Sequence, residues 1–313
     1  MELLLYLAGG DAAPWLTGFA ARLPQARVRL WSSGESARAD YAIGWKPDRQ
    51  MLAQREGWRA LFNLGAGVDA LLDLEHATPG LLSPDLPLIR LDDAGMAAQM
   101  VEYVSHAVLR YQRRFDEYAA QQARREWRVL DAHPRAGFHV GVLGLGELGA
   151  QVAQALAALG LPVRGWSRSA KQLTGVASFA GPAQFDAFLD GVRVLVNLLP
   201  NTPHTRGILN RTVFAKLGAP AYLINVARGA HLVEADLLEA LAHQQLAAAT
   251  LDVFDTEPLP PGHAYWDHAR ITITPHISAL TLREDSIEQI ATKIEALEQG
   301  LPVRGMVELG RGY

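Results

Sequence analysis

The sequence holds no cysteine in its 313 residues. Disulfides, thiolate metal sites and a cysteine nucleophile are therefore excluded, and the composition suits a reducing compartment. An excess of one charge is also missing. With 29 Lys and Arg against 33 Asp and Glu, the net charge of −4 gives no electrostatic reason to bind nucleic acid or an anionic membrane. Long apolar runs are absent too. The apolar start, Leu3 to Leu7, is too short to span a bilayer and is joined by no basic leader or small-residue cleavage site. It reads as a first β-strand, and the cytoplasm is the expected location. No internal repeat, low-complexity tract or heptad array is found. What is present is ordinary for a globular chain: 49% apolar and 20% charged residues, with length enough for two domains.

The most informative stretch runs from Phe138 to Gly160. Val140, Val142 and Leu143 suit a strand buried on both faces. Gly144, Gly146 and Gly149 then form GxGxxG, and Val152, Leu156 and Leu159 follow at helical spacing up to Gly160, a C-terminal cap. A strand, a glycine turn and a helix in that order predict a dinucleotide-binding βαβ unit. The first glycine permits the turn, the second lets backbone approach a pyrophosphate, and the third lets helix and strand pack closely.

Around this unit the chain alternates strands and helices. Strands are expected at 2–7, 28–31, 41–44, 61–64 and 88–91, with a helix at 15–23, so the first hundred residues form a small α/β domain with a parallel sheet. A helix without proline or internal glycine is expected from Met96 to Tyr118, leading into an irregular arm, Gln121 to Ala136. Beyond the glycine turn, strands are expected at 163–166, 194–198, 222–225, 248–253 and 271–274. Helices are expected at 184–189, 211–217 and 234–244. With the first strand that makes six, as a doubly wound sheet requires. The last helix, 281–299, is expected to cross back to the first domain. The fold class is therefore α/β in two domains. Residues 101–280 form a doubly wound (Rossmann) cofactor domain, and 1–100 with 281–313 form a smaller, discontinuous, flavodoxin-like substrate domain.

Arg110, Arg113, Arg114, Arg124, Arg125 and Arg128 lie among Tyr111, Phe115, Tyr118 and Trp127. Basic residues interleaved with aromatics can mark a nucleic-acid surface. Here Asp116, Glu117, Glu126 and Asp131 dilute the charge. The reading adopted is a solvated helix and an arm, 110–136, packed on a second subunit of a homodimer, with neither nucleic acid nor membrane as partner.

Three further segments follow late strands, where ligands bind in open α/β sheets. They are Asn225-Val226-Ala227-Arg228-Gly229, Asp252 through Glu257-Pro258, and Thr274-Pro275-His276-Ile277-Ser278. One guanidinium, one carboxylate and one imidazole thus converge on the edge that carries the glycine turn. With these motifs, and with Leu64 to Asp69, Trp166 to Ser169, Asn197 to Thr202 and the terminal Arg311-Gly312-Tyr313, the chain resembles the D-isomer-specific 2-hydroxyacid dehydrogenase family over essentially its whole length. Within that family it is most similar to the glyoxylate/hydroxypyruvate reductase A branch.

The resemblance implies a role for each matching residue. His276 is the general acid that protonates the carbonyl oxygen as hydride reaches the carbon. Glu257 hydrogen-bonds the imidazole and favours its charged form. Arg228 binds the 2-oxoacid carboxylate and polarises the ketone, with the Ala66 and Gly67 amides on the carboxylate's other side. The cofactor is implied to contact Gly144, Gly146, Glu147, Leu148, Gly149, Ser167, Arg168, Lys171, Leu199, Pro200, Val226, Ala227, Asp252 and Ser278. Closure of the cleft between domains would exclude water. The chemistry is consistent, because hydride transfer builds negative charge on oxygen and a cation and a proton donor must stand there beforehand. No metal is implied.

Two residues keep alternative readings. Asp252 either orients the nicotinamide amide or caps a turn, and Trp45 either walls the substrate pocket or is a core residue. Cofactor choice rests on the segment after the second strand of the βαβ unit. NAD sites usually place Asp or Glu there, whereas this chain has Trp166-Ser167-Arg168-Ser169-Ala170-Lys171. Serine hydroxyls and two cations suit a 2′-phosphate, so NADPH is expected, with NADH weaker. The expected reactions are glyoxylate to glycolate and hydroxypyruvate to D-glycerate. The rivals are another small 2-oxoacid, such as pyruvate, and a dinucleotide-sensing scaffold that binds proteins.

Overall fold

The computed structural model describes residues 1–310, so the Arg311-Gly312-Tyr313 end named above lies outside the described residues. The chain divides into two compact units. One comprises Met1–Met96 and the chain from Thr281 onward, the other Ala97–Leu280. The first cut falls a little before the expected 100/101 boundary, because Met100, Val104, Ala107 and Val108 already belong to the core of the second unit.

The first unit carries β1 (Glu2–Leu7), α1 (Ala13–Arg22), β2 (Arg27–Leu30), the two-residue β3 (Ala37–Arg38), β4 (Tyr41–Trp45), α2 (Arg49–Ala53), the two-residue β5 (Arg55–Glu56), β6 (Ala60–Asn63), α3 (Asp69–Ala77) and β7 (Leu88–Arg90). Five strands form a parallel sheet in the order β2-β1-β4-β6-β7. Counted within that sheet this is 2-1-3-4-5, the flavodoxin-like order. Helices α2 and α3 and the β3–β5 pair were not read from the sequence. These elements are short, and the buried Leu71 and Leu72 of α3 are adjacent where helical spacing was sought.

The second unit carries α4 (Met96–Gln112), α5 (Phe115–Ala123), β8 (His139–Leu143), α6 (Glu147–Ala158), β9 (Val163–Ser167), β10 (Val176–Ala180), α7 (Phe185–Leu189), β11 (Val192–Asn197), α8 (Arg211–Phe214), β12 (Ala221–Asn225), α9 (Glu234–Ala242), β13 (Leu246–Leu251) and β14 (Ile271–Ile273). Its parallel sheet has seven strands, ordered β10-β9-β8-β11-β12-β13-β14. The expected six omitted β10, an edge strand largely open to solvent that pairs with β9 alone and so lacks a buried face to read. Alternate residues feed two cores. Val140, Val142, Val194, Val196 and Ile224 pack with α4 and α6, while Leu143, Leu195, Leu223 and Leu251 pack with α7, α8 and α9. A period of two along each strand thus places helices on both sheet faces.

The expected single helix from 96 to 118 is instead two. Arg114 takes a left-handed conformation, φ 60°, between α4 and α5. That conformation costs a non-glycine residue roughly 1–2 kcal/mol. Its guanidinium offsets the cost by pairing with Glu117 at 2.6 Å and donating to the Asp131 carbonyl at 2.7 Å. The arm after α5 exposes Trp127 and Val129, and Phe115 is exposed at the start of α5.

The last helix, α10 (Arg283–Glu298), belongs to the first unit. Arg22 of α1 pairs with Glu288 and Glu295, both at 2.6 Å, and Tyr41 donates to Glu298 at 2.7 Å. Lys293, nearly buried, bonds Asp92 and the Arg90 carbonyl, each at 2.9 Å.

Candidate active site

The glycine turn sits between β8 and α6. Gly144 has φ 96°, and a Cβ there would lie 2.7 Å from the Leu198 carbonyl oxygen. At Gly149 a Cβ would lie 1.9 Å from the Gly144 carbonyl, so α6 could not pack on the turn with any other residue. Gly146 differs. It is extended and exposed at the N-cap of α6, and a Cβ there meets nothing within 4 Å. Nothing in the fold demands glycine at that point. The open backbone leaves room for a group outside the chain, beside amides at a helix N-terminus, which fits a pyrophosphate. Glu147 is exposed and Leu148 half-buried in the first turn of α6.

The cluster at the far ends of β12, β13 and β14 is tighter. Gly229 follows Arg228, and a Cβ on it would lie 1.8 Å from the Phe254 carbonyl carbon, so the arginine loop lies against the loop after β13. The Phe254 amide donates to Glu257 Oε1 at 3.0 Å. Glu257 Oε2 stands 2.8 Å from His276 Nδ1. A carboxylate only accepts, so Nδ1 carries hydrogen and Nε2 is left as the nitrogen that gains and loses the proton. Arg228 is half-buried, and its Nη1 donates to the Ala227 carbonyl at 2.6 Å. Arg228, Glu257 and His276 are thereby brought into one connected set of loops.

His276 itself is in the left-handed region, φ 56°. Its turn is pinned by Asp252, which is wholly buried. The Asp252 carboxylate accepts from the Thr274 hydroxyl, the Ile277 amide and the Ser278 amide, and its carbonyl accepts from the His276 amide at 2.8 Å. Of its two readings from sequence, the turn cap is the one these contacts describe. An amide of a nicotinamide would have to share oxygens already engaged by three donors. Ser278 is buried in the same turn.

Sequence reasoning missed the polar network beneath the neighbouring loops. Asn197 and Asn225, the last residues of β11 and β12, are wholly buried, and Asn197 Nδ2 donates to Asn225 Oδ1 at 3.0 Å. The same Nδ2 lies 2.8 Å from Nδ1 of His231, also wholly buried. Because an amide nitrogen only donates, His231 Nδ1 accepts and its Nε2–H faces the Pro200 carbonyl at 3.2 Å. Asn225 Nδ2 donates to the Arg228 carbonyl at 3.0 Å. Leu199, Pro200, Val226 and Ala227, expected to meet a cofactor, lie on the loops this network holds. The available signal was a polar residue closing an apolar strand, as in VRVLVN and AYLIN.

After β9, Ser167 is nearly buried and its hydroxyl donates to the Ser169 carbonyl at 2.7 Å, so donation to a phosphate would require that hydroxyl to turn. Arg168, Ser169 and Lys171 are exposed. No carboxylate occurs from Ser167 to Lys171. In the first unit, Trp45 ends β4 and is part-exposed, while Ala66 and Gly67 follow β6. Asn63 Nδ2 holds that second loop by donating to the Gly65 and Gly67 carbonyls at 3.0 and 2.9 Å.

Residues 105–278 match the family model for the NAD-binding domain of D-isomer specific 2-hydroxyacid dehydrogenases. Glyoxylate/hydroxypyruvate reductase A of Serratia proteamaculans is 56% identical over 313 residues, all of both chains. The chain belongs to the D-isomer specific 2-hydroxyacid dehydrogenase family. The reductase of the same name from Yersinia enterocolitica is 50% identical, again over both full lengths. Among solved structures, a family member from Xanthobacter autotrophicus in complex with NADPH and MES has 38% identity and a TM-score of 0.92, covering 100% of this chain and 99% of that one. An NADPH-dependent glyoxylate/hydroxypyruvate reductase from Sinorhizobium meliloti, in complex with NADP and sulfate, has 35% identity and a TM-score of 0.91 with the same coverage. The family model supports the reading of the glycine turn as a dinucleotide site. Among the described residues no helix is long and apolar enough to cross a membrane, and no group of three or more His, Asp or Glu could hold a metal ion.

Proposed function

We propose that this protein reduces small 2-oxoacids with NADPH, taking glyoxylate to glycolate and hydroxypyruvate to D-glycerate. The observation that carries the reading is the 2.8 Å contact of His276 Nδ1 with Glu257, on loops shared with Arg228, in a sheet whose glycine turn is open at Gly146. NADPH supplies the hydride when bound. The chain's own residues do the rest. Arg228 offers a planar fork of donors to the substrate carboxylate and a cation beside the ketone oxygen. His276 delivers a proton from Nε2 to that oxygen, and Glu257 stabilises the charged ring that does so. The amides of Ala66 and Gly67 and the ring of Trp45 carry the substrate-facing roles of the first unit.

The preference for NADPH over NADH rests on Arg168 and Lys171, and on the missing carboxylate after β9. Gly144, Gly146, Glu147, Leu148, Gly149, Ser167, Leu199, Pro200, Val226, Ala227 and Ser278 complete the cofactor set, with Asp252 holding the turn that carries Ser278. The exposed Phe115, Trp127 and Val129 support a homodimer built on the 110–136 arm, and the cysteine-free composition supports a cytoplasmic location. The test is direct: purified protein with NADPH or NADH and a panel of 2-oxoacids, following loss of reduced-nicotinamide absorbance. Turnover of glyoxylate and hydroxypyruvate with NADPH is expected. Tight NADPH binding without oxidation by any 2-oxoacid would overturn the reading in favour of a sensing scaffold.

A further inference from the structure

One part-buried hydrogen-bond chain reaches the His276 turn from an element that bears none of the site residues assigned above. Tyr103 lies on α4, half-buried against the core formed with β8, β11 and β12. Its hydroxyl is 2.5 Å from Thr274 Oγ1, and Thr274 Oγ1 is 2.5 Å from Asp252 Oδ1. The order of donors follows from valence. The Asp252 carboxylate can only accept, so the single hydrogen of Thr274 goes to it, and Tyr103 must donate to Thr274. Burial pushes the Tyr103 phenol up to about 12, so it keeps the hydrogen to donate at neutral pH. Asp252 in turn holds the Ile277 and Ser278 amides at 2.9 and 2.8 Å, the two residues that follow the left-handed His276.

We propose that Tyr103 is a positioning residue for His276, acting through Thr274 and Asp252 to fix the turn from which the imidazole reaches the substrate. With each link donating in one direction, the chain polarises toward the carboxylate. Thr274 then has one favoured hydroxyl rotamer, and the Asp252 oxygens keep the lone pairs that the two turn amides require. This inference rests on His276 being the proton donor of the proposed reduction.

A second contact from α4, to the strand just before Thr274, supplies the control. Arg110 Nη1 donates to Thr272 Oγ1 at 3.3 Å, joining α4 to β14 without touching Asp252. Tyr103→Phe deletes only the hydroxyl and should lower kcat for reduction by about 3- to 10-fold, with NADPH affinity and the glyoxylate KM within about twofold of the parent. Thr274→Val, which takes one of three donors from the buried carboxylate, should lower kcat by about 10- to 100-fold. Thr274→Ser, which keeps the hydroxyl, should restore most of it. The double variant Tyr103→Phe/Thr274→Val should be no worse than Thr274→Val alone, because Tyr103 acts through Thr274. Thr272→Val should leave kcat unchanged.

Amide hydrogen exchange over residues 275–280 supplies a readout independent of turnover. Exchange of the Ile277 and Ser278 amides should quicken in Tyr103→Phe and Thr274→Val but not in Thr272→Val. An unchanged kcat in Tyr103→Phe, or an equal loss in Thr272→Val, would overturn the proposal. Additive losses in the double variant would do the same. If the parent turns over no 2-oxoacid, the proposed reduction falls, and the exchange comparison alone decides whether Tyr103 holds the turn.

Discussion

At the carboxyl edge of the first sheet one buried amide, Asn63, closes β6 and holds the loop after it through two hydrogen bonds. At the same edge of the second sheet Asn197 closes β11, Asn225 closes β12 and Asp252 follows β13, all wholly buried, with Asn197 bonded to both Asn225 and His231. The device is the same, a polar side chain at the end of an apolar strand that takes up the backbone groups of the following loop. The extent differs. A buried polar group left unpaired costs about 1–3 kcal/mol, so such a set, three linked side chains and a separate carboxylate, is tolerated only when every member is matched. The second unit uses that set to fix the loops bearing Arg228 and His276. The first holds its Gly65-Ala66-Gly67 loop more lightly. In the proposed reduction, rigid support is thus concentrated where charge would have to be met in a set geometry, and spared where a loop would only offer backbone amides.

The comparison can be broken most decisively at His276. His276→Ala should cost roughly 10²–10⁴-fold in turnover in both directions, with NADPH binding preserved. Trp45→Ala, in the first unit, should act on the substrate KM. If it lowered turnover as severely, the placement of proton transfer in the second unit would fail. Steady-state kinetics of the two variants side by side decides it.

Arg168→Ala should come next. Loss of one charge-assisted hydrogen bond to a 2′-phosphate, worth roughly 1.5–3 kcal/mol, would weaken NADPH by about one to two orders of magnitude and leave NADH nearly unchanged. Fluorescence titration with both cofactors measures this. Equal losses would place the damage outside phosphate recognition.

The buried amides sharpen the comparison with smaller effects. Asn225→Ala strips the partner from Asn197 and from the Arg228 carbonyl, and should destabilise the fold by about 1–3 kcal/mol while lowering kcat. Asn63→Ala should cost less, about 0.5–1.5 kcal/mol, and raise the glyoxylate KM with kcat unchanged. Urea unfolding with kinetics on both variants tests the pair. A kcat loss in Asn63→Ala matching that of Asn225→Ala would mean that the two edges are supported alike.

Much of this architecture was legible in the residues. Alternating apolar positions such as Val140, Val142, Val194 and Val196 report burial on a sheet face, and burial is a local property repeated every second residue. The glycine turn was legible because Gly144 and Gly149 encode a steric demand within six residues, and the loops of Arg228, Glu257 and His276 because each follows a strand, their roles coming from the family resemblance. Where the local signal was weak, the reading failed. The edge strand Val176–Ala180 has no buried face to alternate, and the break at Arg114 is sustained by one ion pair and one carbonyl contact that helical periodicity does not report.

The amino-acid sequence by itself determined the parallel sheet class, the glycine turn, the missing carboxylate after the second strand of the βαβ unit and the three chemical groups at strand ends. Each is written in neighbouring residues, where sterics and hydrophobic burial act within a few positions. Only the tertiary structure decided the left-handed turn at His276, the neutral role of His231 between Asn197 and Pro200, and the direction of the chain from Tyr103 through Thr274 to Asp252. Those depend on hydrogen-bond partners such as Tyr103 and Thr274, which lie 171 positions apart. Hydrogen-bond valence becomes decisive only when folding has removed water from both ends.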